Sequence, residues 1–516
     1  MSLLHPGNQV RAGSGEAQAG RGEGRLGHRP TQAPAVAPRP GFALLLSLAM
    51  AQFMVVLDFT IVNVALPSIQ HDLHVATTTL QWLVSAYAVA FGGFLLLGGR
   101  LADVYGRARM YRIGLVVFVA ASVSGGLAAE PGLLIASRVV QGIGAAVLAP
   151  AGLSLLVTCW PGEQERSRVL GTYGAVVSAG FASGAVLGGL LVEASWRLVF
   201  FVNVPIGIAL LAASVRLLPA DPPGRVRGQL DIPGAVTVTA GVALLVLGVT
   251  RAGDTLQATQ PALLAAAAVV LLAAFVARES RTPAPLLDLT LLKDRGIAGA
   301  NLTLIAVGAF SAAQVLLVTL YLQEGRGLSP VLTGLCFVPQ AAGAFVLSGP
   351  AGRLVLALGP RRALSIALSV ALLALAGAAV AVLAGSLPAL LAAQFVLGVS
   401  NRLSQVASTL AGTHGPVAAR SEGTASALLT ATRQSGSALG VAIASATLVA
   451  AHGGTGQRTA TAMFMVVGFA LAGLLATRVV SPGPHSRTPQ PQHLVPPSRP
   501  RHPAVADHAA RVSIRP

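Results

Sequence analysis

The residue best placed to do chemistry is Asp58, in the run Leu57-Asp58-Phe59-Thr60-Ile61-Val62-Asn63-Val64-Ala65-Leu66-Pro67, where it is the only acid deep inside an apolar stretch. An ionisable group at such a position faces a bundle interior or a water-filled cavity, and marks a proton or substrate pathway. The matching cation is Arg138. At 1.5 Å rise per residue it lies about 9 Å into its own stretch and Asp58 about 12 Å into the first, so the two can face one another. The expectation is a site at which a proton and a substrate compete for Asp58, with Arg138 setting its proton affinity. The alternative is a hydrogen bond that only packs helices.

Two more cations, Arg402 and Arg433, fall in apolar stretches, with Gln314 and Gln340 on neighbouring ones. Asp58, Arg138, Gln314 and Arg402 are therefore the candidate proton-coupling and cavity residues. Three arginines against one aspartate argue against a chamber tuned only for cations, because a positive wall repels them. Outside the apolar stretches, Gly99-Arg100-Leu101-Ala102-Asp103-Val104-Tyr105-Gly106-Arg107-Ala108-Arg109 combines close-packing glycines with an acid and several bases. Gly99, Asp103, Gly106 and Arg107 read as a conformational latch, or as a charged turn that sets orientation. Gly180, Gly184, Gly188 and Gly189 form a stripe of small residues suited to tight helix packing or to a hinge. No HExxH, GxSxG, Walker-type or clustered Cys/His pattern occurs, so neither a metal, a cofactor nor an enzymatic activity is expected. The two cysteines, Cys159 and Cys336, fall near opposite membrane faces, too far apart for a disulfide, which needs Cα atoms within about 7 Å.

The elements that position these residues follow from composition. Of 516 residues, 54% are hydrophobic and 10% charged, against roughly 25% charged in soluble domains. Apolar runs near 42–66, 80–99, 110–128, 132–158, 168–192 and 198–218, then 230–250 and 261–278, then 296–322, 331–349, 362–384, 388–410, 423–450 and 459–480 give fourteen candidate spans. The predicted fold is all-α: a polytopic membrane protein of two pseudo-symmetric six-helix bundles, 42–218 and 296–480, plus an inserted helix pair at 230–278. Segments 1–40 and 481–516 are rich in Pro and Arg and read as disordered tails.

The net charge is +17, and Lys293 is the only lysine. Arg107, Arg109, Arg112, Arg166, Arg168, Arg225, Arg227, Arg278, Arg281, Arg295, Arg361, Arg362 and Arg420 collect on one set of connections, which places that set and both termini in the cytoplasm of a multi-pass cell-membrane protein. Spread over loops in this way, the cations suit a bilayer and not a nucleic acid. An internal repeat accompanies the span count. Gly99-Arg100-Leu101 with Gly106 recurs as Gly352-Arg353-Leu354 with Gly359, Ser183-Gly184 recurs as Ser435-Gly436, and Gly142 matches Gly398. Repeated halves imply a midplane site between them and alternating access.

Together these residues resemble the fourteen-span drug:proton antiporters of the major facilitator superfamily, the EmrB/QacA type. Leu57 to Pro67 is similar to that family's first-span signature, Gly99 to Arg109 to the superfamily loop motif, and Arg138-x-x-Gln141-Gly142-x-Gly144 to its fourth-span motif. The resemblance implies that Arg138 takes part in proton coupling. Ser195-Trp196-Arg197, Asn203-Val204-Pro205-Ile206-Gly207 and Pro285-Leu286-Leu287-Asp288-Leu289 also look like family sequence. Two positions depart from it: Ala185 follows Gly184 where a proline is usual, and Val104 stands where an arginine is usual. The expected function is proton-coupled efflux of small amphipathic or drug-like molecules by a monomer. A facilitative or import carrier, or a non-transporting membrane sensor, is the alternative.

Overall fold

The computed structural model describes residues 41–160, 163–219, 221, 231–254, 259–282, 285–287, 289–413 and 422–480. The predicted tails, 1–40 and 481–516, lie outside them. Every regular element among the described residues is helical. The first half supplies α1 (Phe42–Leu73), α2 (Trp82–Tyr105), α3 (Arg107–Gly126), α4 (Pro131–Cys159), α5 (Glu163–Ala194) and α6 (Asn203–Leu217). Then come α7 (Ile232–Asp254) and α8 (Thr259–Glu279). The second half supplies α9 (Arg295–Leu320), the short α10 (Pro330–Leu335), α11 (Val338–Val346) and α12 (Ala351–Leu358), then α13 (Pro360–Leu383), α14 (Leu387–Thr413), α15 (Glu422–Ala450) and α16 (Thr455–Ala476).

Local chemistry explains several boundaries. Asp294 caps α9 by accepting from the amides of Gly296 and Ile297, and Ser329 caps α10 through the amide of Leu332, with Pro330 in the first turn. The junction between α2 and α3 is the single residue Gly106 at φ +107°, and that between α12 and α13 is Gly359 at φ +80°. Both conformations are strained for a residue with a Cβ. The sequence placed a turn over Gly99–Arg109; instead helix persists through Tyr105, because nothing before Gly106 breaks the hydrogen-bond ladder.

Ten helices among the described residues are long and apolar enough to cross a bilayer, or eleven if the pair Pro330–Val346 and Ala351–Leu358, bent by 56°, counts as one. Among the described residues, length and apolarity thus account for ten or eleven of the fourteen expected crossings. Three of the stretches, now α5, α14 and α15, form helices of 32, 27 and 29 residues. α14 and α15 carry enough Gly, Ser, Thr, Gln and Arg to lower their apolarity. The span expected at 331–349 is broken, with Gly349 and Pro350 at the bend.

First-half helices pack mainly with one another, as do second-half helices, and α2 meets α15 along the seam between them. α7 lies against both α2 and α15, while α8 packs on α7. The foot of this pair is tied by Arg278 Nε to Asp231 Oδ1 at 2.7 Å, the same oxygen that accepts from the Gly234 amide. The repeat reappears as equivalent contacts. Gly142 lets α4 approach the backbone of Tyr87 on α2, as Gly398 lets α14 approach Gln340 on α11. Likewise Gly184 sits against Leu57 on α1, and Gly436 against Ile305 on α9.

At the end of the molecule that carries Asp72, one apolar cluster joins Ile61, Leu66 and Trp196 of the first half to Phe310, Leu317 and Tyr321 of the second. At the opposite end, which carries Gly106, the starts of α1 and α9 belong to separate clusters, with Leu44, Leu45, Leu48 and Ala51 in one and Ala300 and Leu304 in another. The cluster at the Asp72 end is the broader junction between the halves; toward the Gly106 end Ala431 and Leu96 make smaller ones.

Candidate functional site

Asp58 and Arg138 are both fully buried and form an ion pair, Arg138 Nη1 to Asp58 Oδ2, at 2.6 Å. The depth arithmetic made from the sequence thus agrees with the packing of α1 on α4. Asp58 Oδ1 accepts two further hydrogen bonds, from Gln141 Nε2 at 2.7 Å and Asn203 Nδ2 at 2.9 Å. Arg138 Nη1 also donates to Gln141 Oε1 at 2.6 Å and Arg138 Nε to the Leu83 carbonyl at 2.8 Å. Gln141 Nε2 reaches Ser122 Oγ at 2.8 Å. One carboxylate therefore ties α1 to α4 and α6, and its partners extend to α2 and α3. Removing one member of such a buried pair costs about 3–5 kcal/mol.

The Arg138 guanidinium lies 4.3 Å from the centroid of the Tyr87 ring. Tyr87 in turn contacts Phe59 and Phe91, with ring centroids 6.0 Å and 5.9 Å away. These three aromatic residues line a cavity of about 220 Å³ between the halves. Its wall also includes Gln52, Val55, Val56 and Asn63 from α1, Val307, Ser311 and Val315 from α9, Gln340 from α11, Asn401, Arg402 and Gln405 from α14, and Arg433, Gln434 and Ser437 from α15.

Asp58 and Arg138 do not line this cavity. Consecutive helical residues are rotated by about 100°, so Phe59 faces the chamber while Asp58 faces α4 and α6. Direct competition of substrate and proton for the carboxylate, expected from the sequence, is unavailable in this conformation; the pair sits one side chain behind the wall, at Tyr87. Gln314 is also set back, buried with its Nε2 donating to Gln340 Oε1 at 3.2 Å, and only Gln340 reaches the chamber. Of the four candidate residues Arg402 alone lines it.

The expected latch is divided. Asp103 is exposed and lies 3.7 Å from Arg107 Nη2, a partly solvated contact of little energetic weight. Arg107 Nη1 also donates to Thr158 Oγ1. Gly99 has only Pro150 near it, so no close approach demands a glycine there. Asp221, which the sequence did not single out, is the residue at the junction: its Oδ1 and Oδ2 accept from the Ala108 and Arg109 amides at 3.2 and 3.0 Å, capping α3. Any Cβ at position 106 would strike this carboxylate. Asp221→Ala is expected to destabilise the protein by about 0.5–2 kcal/mol, the usual worth of an N-cap, and Asp103→Ala by less; melting temperatures of the two purified variants check the order.

Gly180, Gly184 and Gly188 face Phe53, Thr60 and Ile61 on α1, while Gly189 faces Pro330 and Val331 at the start of α10 in the other half. Three glycines thus pack α5 inside its own half and the fourth closes the seam at the Asp72 end. Polar contacts lie at the same end, one of them across the halves. Asp72 Oδ2 accepts from Trp196 Nε1 at 2.8 Å and Arg197 Nη1 at 2.9 Å. Gln323, in a π-helical turn at Tyr321–Gly325, donates to the Val64 carbonyl across the halves at 3.0 Å. π-Turns are enriched at functional sites. Cys159 and Cys336 are both free thiols.

With this geometry in place, comparison with known proteins is decisive about family. Residues 48–441 match the model of the Major Facilitator Superfamily. The chain belongs to the major facilitator superfamily. Its relatives include the puromycin resistance protein pur8 of Streptomyces alboniger, 37% identical over 471 residues that cover 86% of this chain and 91% of that one. The cephamycin export protein CmcT of Amycolatopsis lactamdurans is 44% identical over 301 residues, 56% of this chain and 61% of that one. Among solved structures, a POT-family peptide transporter in complex with sulfate superposes with a TM-score of 0.62 at 15% identity, covering 86% of this chain and 97% of that one. That likeness shows the fold of the superfamily. This is a family of multi-span membrane transporters and not of enzymes, which agrees with the lack of catalytic motifs in the sequence.

Proposed function

We propose that this chain exports small amphipathic, drug-like molecules across the cell membrane in exchange for protons. The resistance and export proteins among its relatives support efflux of such compounds. The observation that carries the coupling is the buried Asp58–Arg138 pair standing directly behind Tyr87, a residue of the cavity wall. In this reading a proton reaching Asp58 cancels the charge that holds Arg138. The guanidinium then redistributes between Gln141, the Leu83 carbonyl and the Tyr87 face, and the wall shifts. Substrate pressing on Tyr87 and Phe59 acts on the same residues from the other side. Proton and substrate communicate through one aromatic layer and α1, without sharing an atom.

The finer architecture belongs to the same reading: fourteen crossings as two six-helix bundles, 42–218 and 296–480, with the pair 230–278 inserted, and both termini cytoplasmic. On that orientation the sealed Asp72 end is outside and the conformation is closed to the exterior. Alternation would break the Gly189–Pro330 and Gln323–Val64 contacts and form new ones near Gly106. Gly99, Asp103, Gly106 and Arg107 would bias that closure, and the chain would work as a monomer. Efflux from proteoliposomes of a panel of cationic, neutral and anionic compounds, with and without a pH gradient, tests this. Accumulation that follows the gradient supports exchange, gradient-independent flux indicates a facilitator, and no flux of any compound refutes transport.

A further inference from the structure

The polar groups of the cavity wall are unequal in sign. Arg402 and Arg433 line it, no carboxylate among the described residues does, and the remaining polar residues there are carboxamides and hydroxyls. Neither arginine has an ion pair among the described residues; the buried Nε of Arg402 and the buried hydroxyl of Tyr87 have no hydrogen-bond partner there. Arg402 and Arg433 come from different helices, α14 and α15, so their convergence on one chamber is a property of the fold and not of a local sequence motif. Guanidinium groups converging on one chamber without counter-charges call for an anion, and their fork geometry suits a planar carboxylate. The opposite wall is Val55, Val56, Phe59 and Phe91, which suits an apolar body. Asp58, next to Phe59 of the chamber wall, is paired with Arg138 and does not itself line the chamber.

We propose that the chamber selects amphipaths bearing an anionic group, a carboxylate in the first instance, held by Arg402 and Arg433 with the Tyr87 hydroxyl as a further donor. This rests on the reading of the chamber as the export site and narrows its substrate class.

The test uses the full chain in lipid nanodiscs and three probes on one aromatic scaffold: 1-pyrenebutyrate, 1-pyrenebutyramide and 4-(1-pyrenyl)butyltrimethylammonium. The carboxylate is expected to bind at least about tenfold more tightly than the amide, and the ammonium form most weakly. Arg402→Gln and Arg433→Gln should each remove most of that preference, while Arg402→Lys and Arg433→Lys should keep the carboxylate ahead of the ammonium form. Monodispersity and melting temperature show that each variant is folded. Equal or stronger binding of the amide or ammonium probe overturns the anion assignment and leaves export standing, as does a carboxylate preference that survives both Gln substitutions. Binding of none of the probes, together with no flux in the proteoliposome panel, refutes the chamber as a transport site altogether.

Discussion

Asp58→Asn is expected to abolish gradient-driven export while exchange of substrate down its own concentration gradient persists. The amide is nearly isosteric with the carboxylate but keeps a single acceptor oxygen, which can serve Gln141 and Asn203 or Arg138 and not both sets. What disappears is the charge that pairs with Arg138 at 2.6 Å and the ability to take up and release a proton. Leaving the guanidinium buried without its counter-ion costs about 3–5 kcal/mol, so a lower melting temperature is expected as well. A folding defect alone would reduce exchange and energised export together. Parallel assays of counterflow and of pH-driven accumulation, normalised to protein in the membrane, separate the two. The account predicts near-complete loss of accumulation, about 100-fold or more in initial rate, equivalent to removing roughly 2.7 kcal/mol of coupling, with counterflow within a few-fold of the unmodified protein. Arg138→Gln should behave alike, because it removes the same link between the carboxylate and Tyr87.

Gly189→Leu is the second large effect. A Cβ built on Gly189 lies 2.5 Å from the Pro330 carbonyl oxygen and 2.6 Å from Val331 Cα. Both are backbone atoms that cannot rotate aside, so α5 and α10 could not approach as they do here. The other three glycines of the stripe touch α1 within their own half, and substituting them would damage folding. Gly189 instead sits on the seam that must open and close. A leucine there is expected to hold the Asp72 end apart, shifting the population toward the alternative conformation; a 99:1 bias reversed to 1:99 corresponds to about 5.5 kcal/mol. Cysteine pairs placed across the seam, one near Gly189 and one near Pro330, report this as loss of cross-linking. The matching pair at the Gly106 end should gain it. Gly184→Ala, which meets Thr60 inside the first half, should lower stability and leave the ratio of the two cross-links unchanged.

The sequence revealed the site's electrostatics more readily than its arrangement. An acid and an arginine in otherwise apolar runs identify themselves by cost, and helical rise alone put them at one depth. Rotation about the helix axis was not legible in α1, whose apolar residues surround it on every side, so no amphipathic stripe showed that Phe59 and not Asp58 faces the chamber. Tyr87 carries no signal at all: it is one more aromatic residue in an apolar helix, and its role depends on Arg138 from another helix lying over its ring. Gln141 and Asn203 stood inside motifs singled out for family likeness, yet only the fold brings both to one carboxylate. Asp221 sits 113 positions from the amide of Ala108 that it caps, a distance across which spacing says nothing. Apolar length located helix after helix, and α14 and α15 stand apart in being rich in the small and polar residues that line seams and cavities. The repeat was visible in glycines for a physical reason: a position where two backbones touch tolerates no side chain, whatever surrounds it.

The central claim is that Asp58 is the proton-exchanging group linked to substrate binding through Tyr87. Proton release on adding a transported substrate to purified protein in weakly buffered detergent solution tests it most directly. The account predicts release from the unmodified protein, and none from Asp58→Asn even at substrate concentrations where that variant is shown to bind. Undiminished release from Asp58→Asn would contradict it.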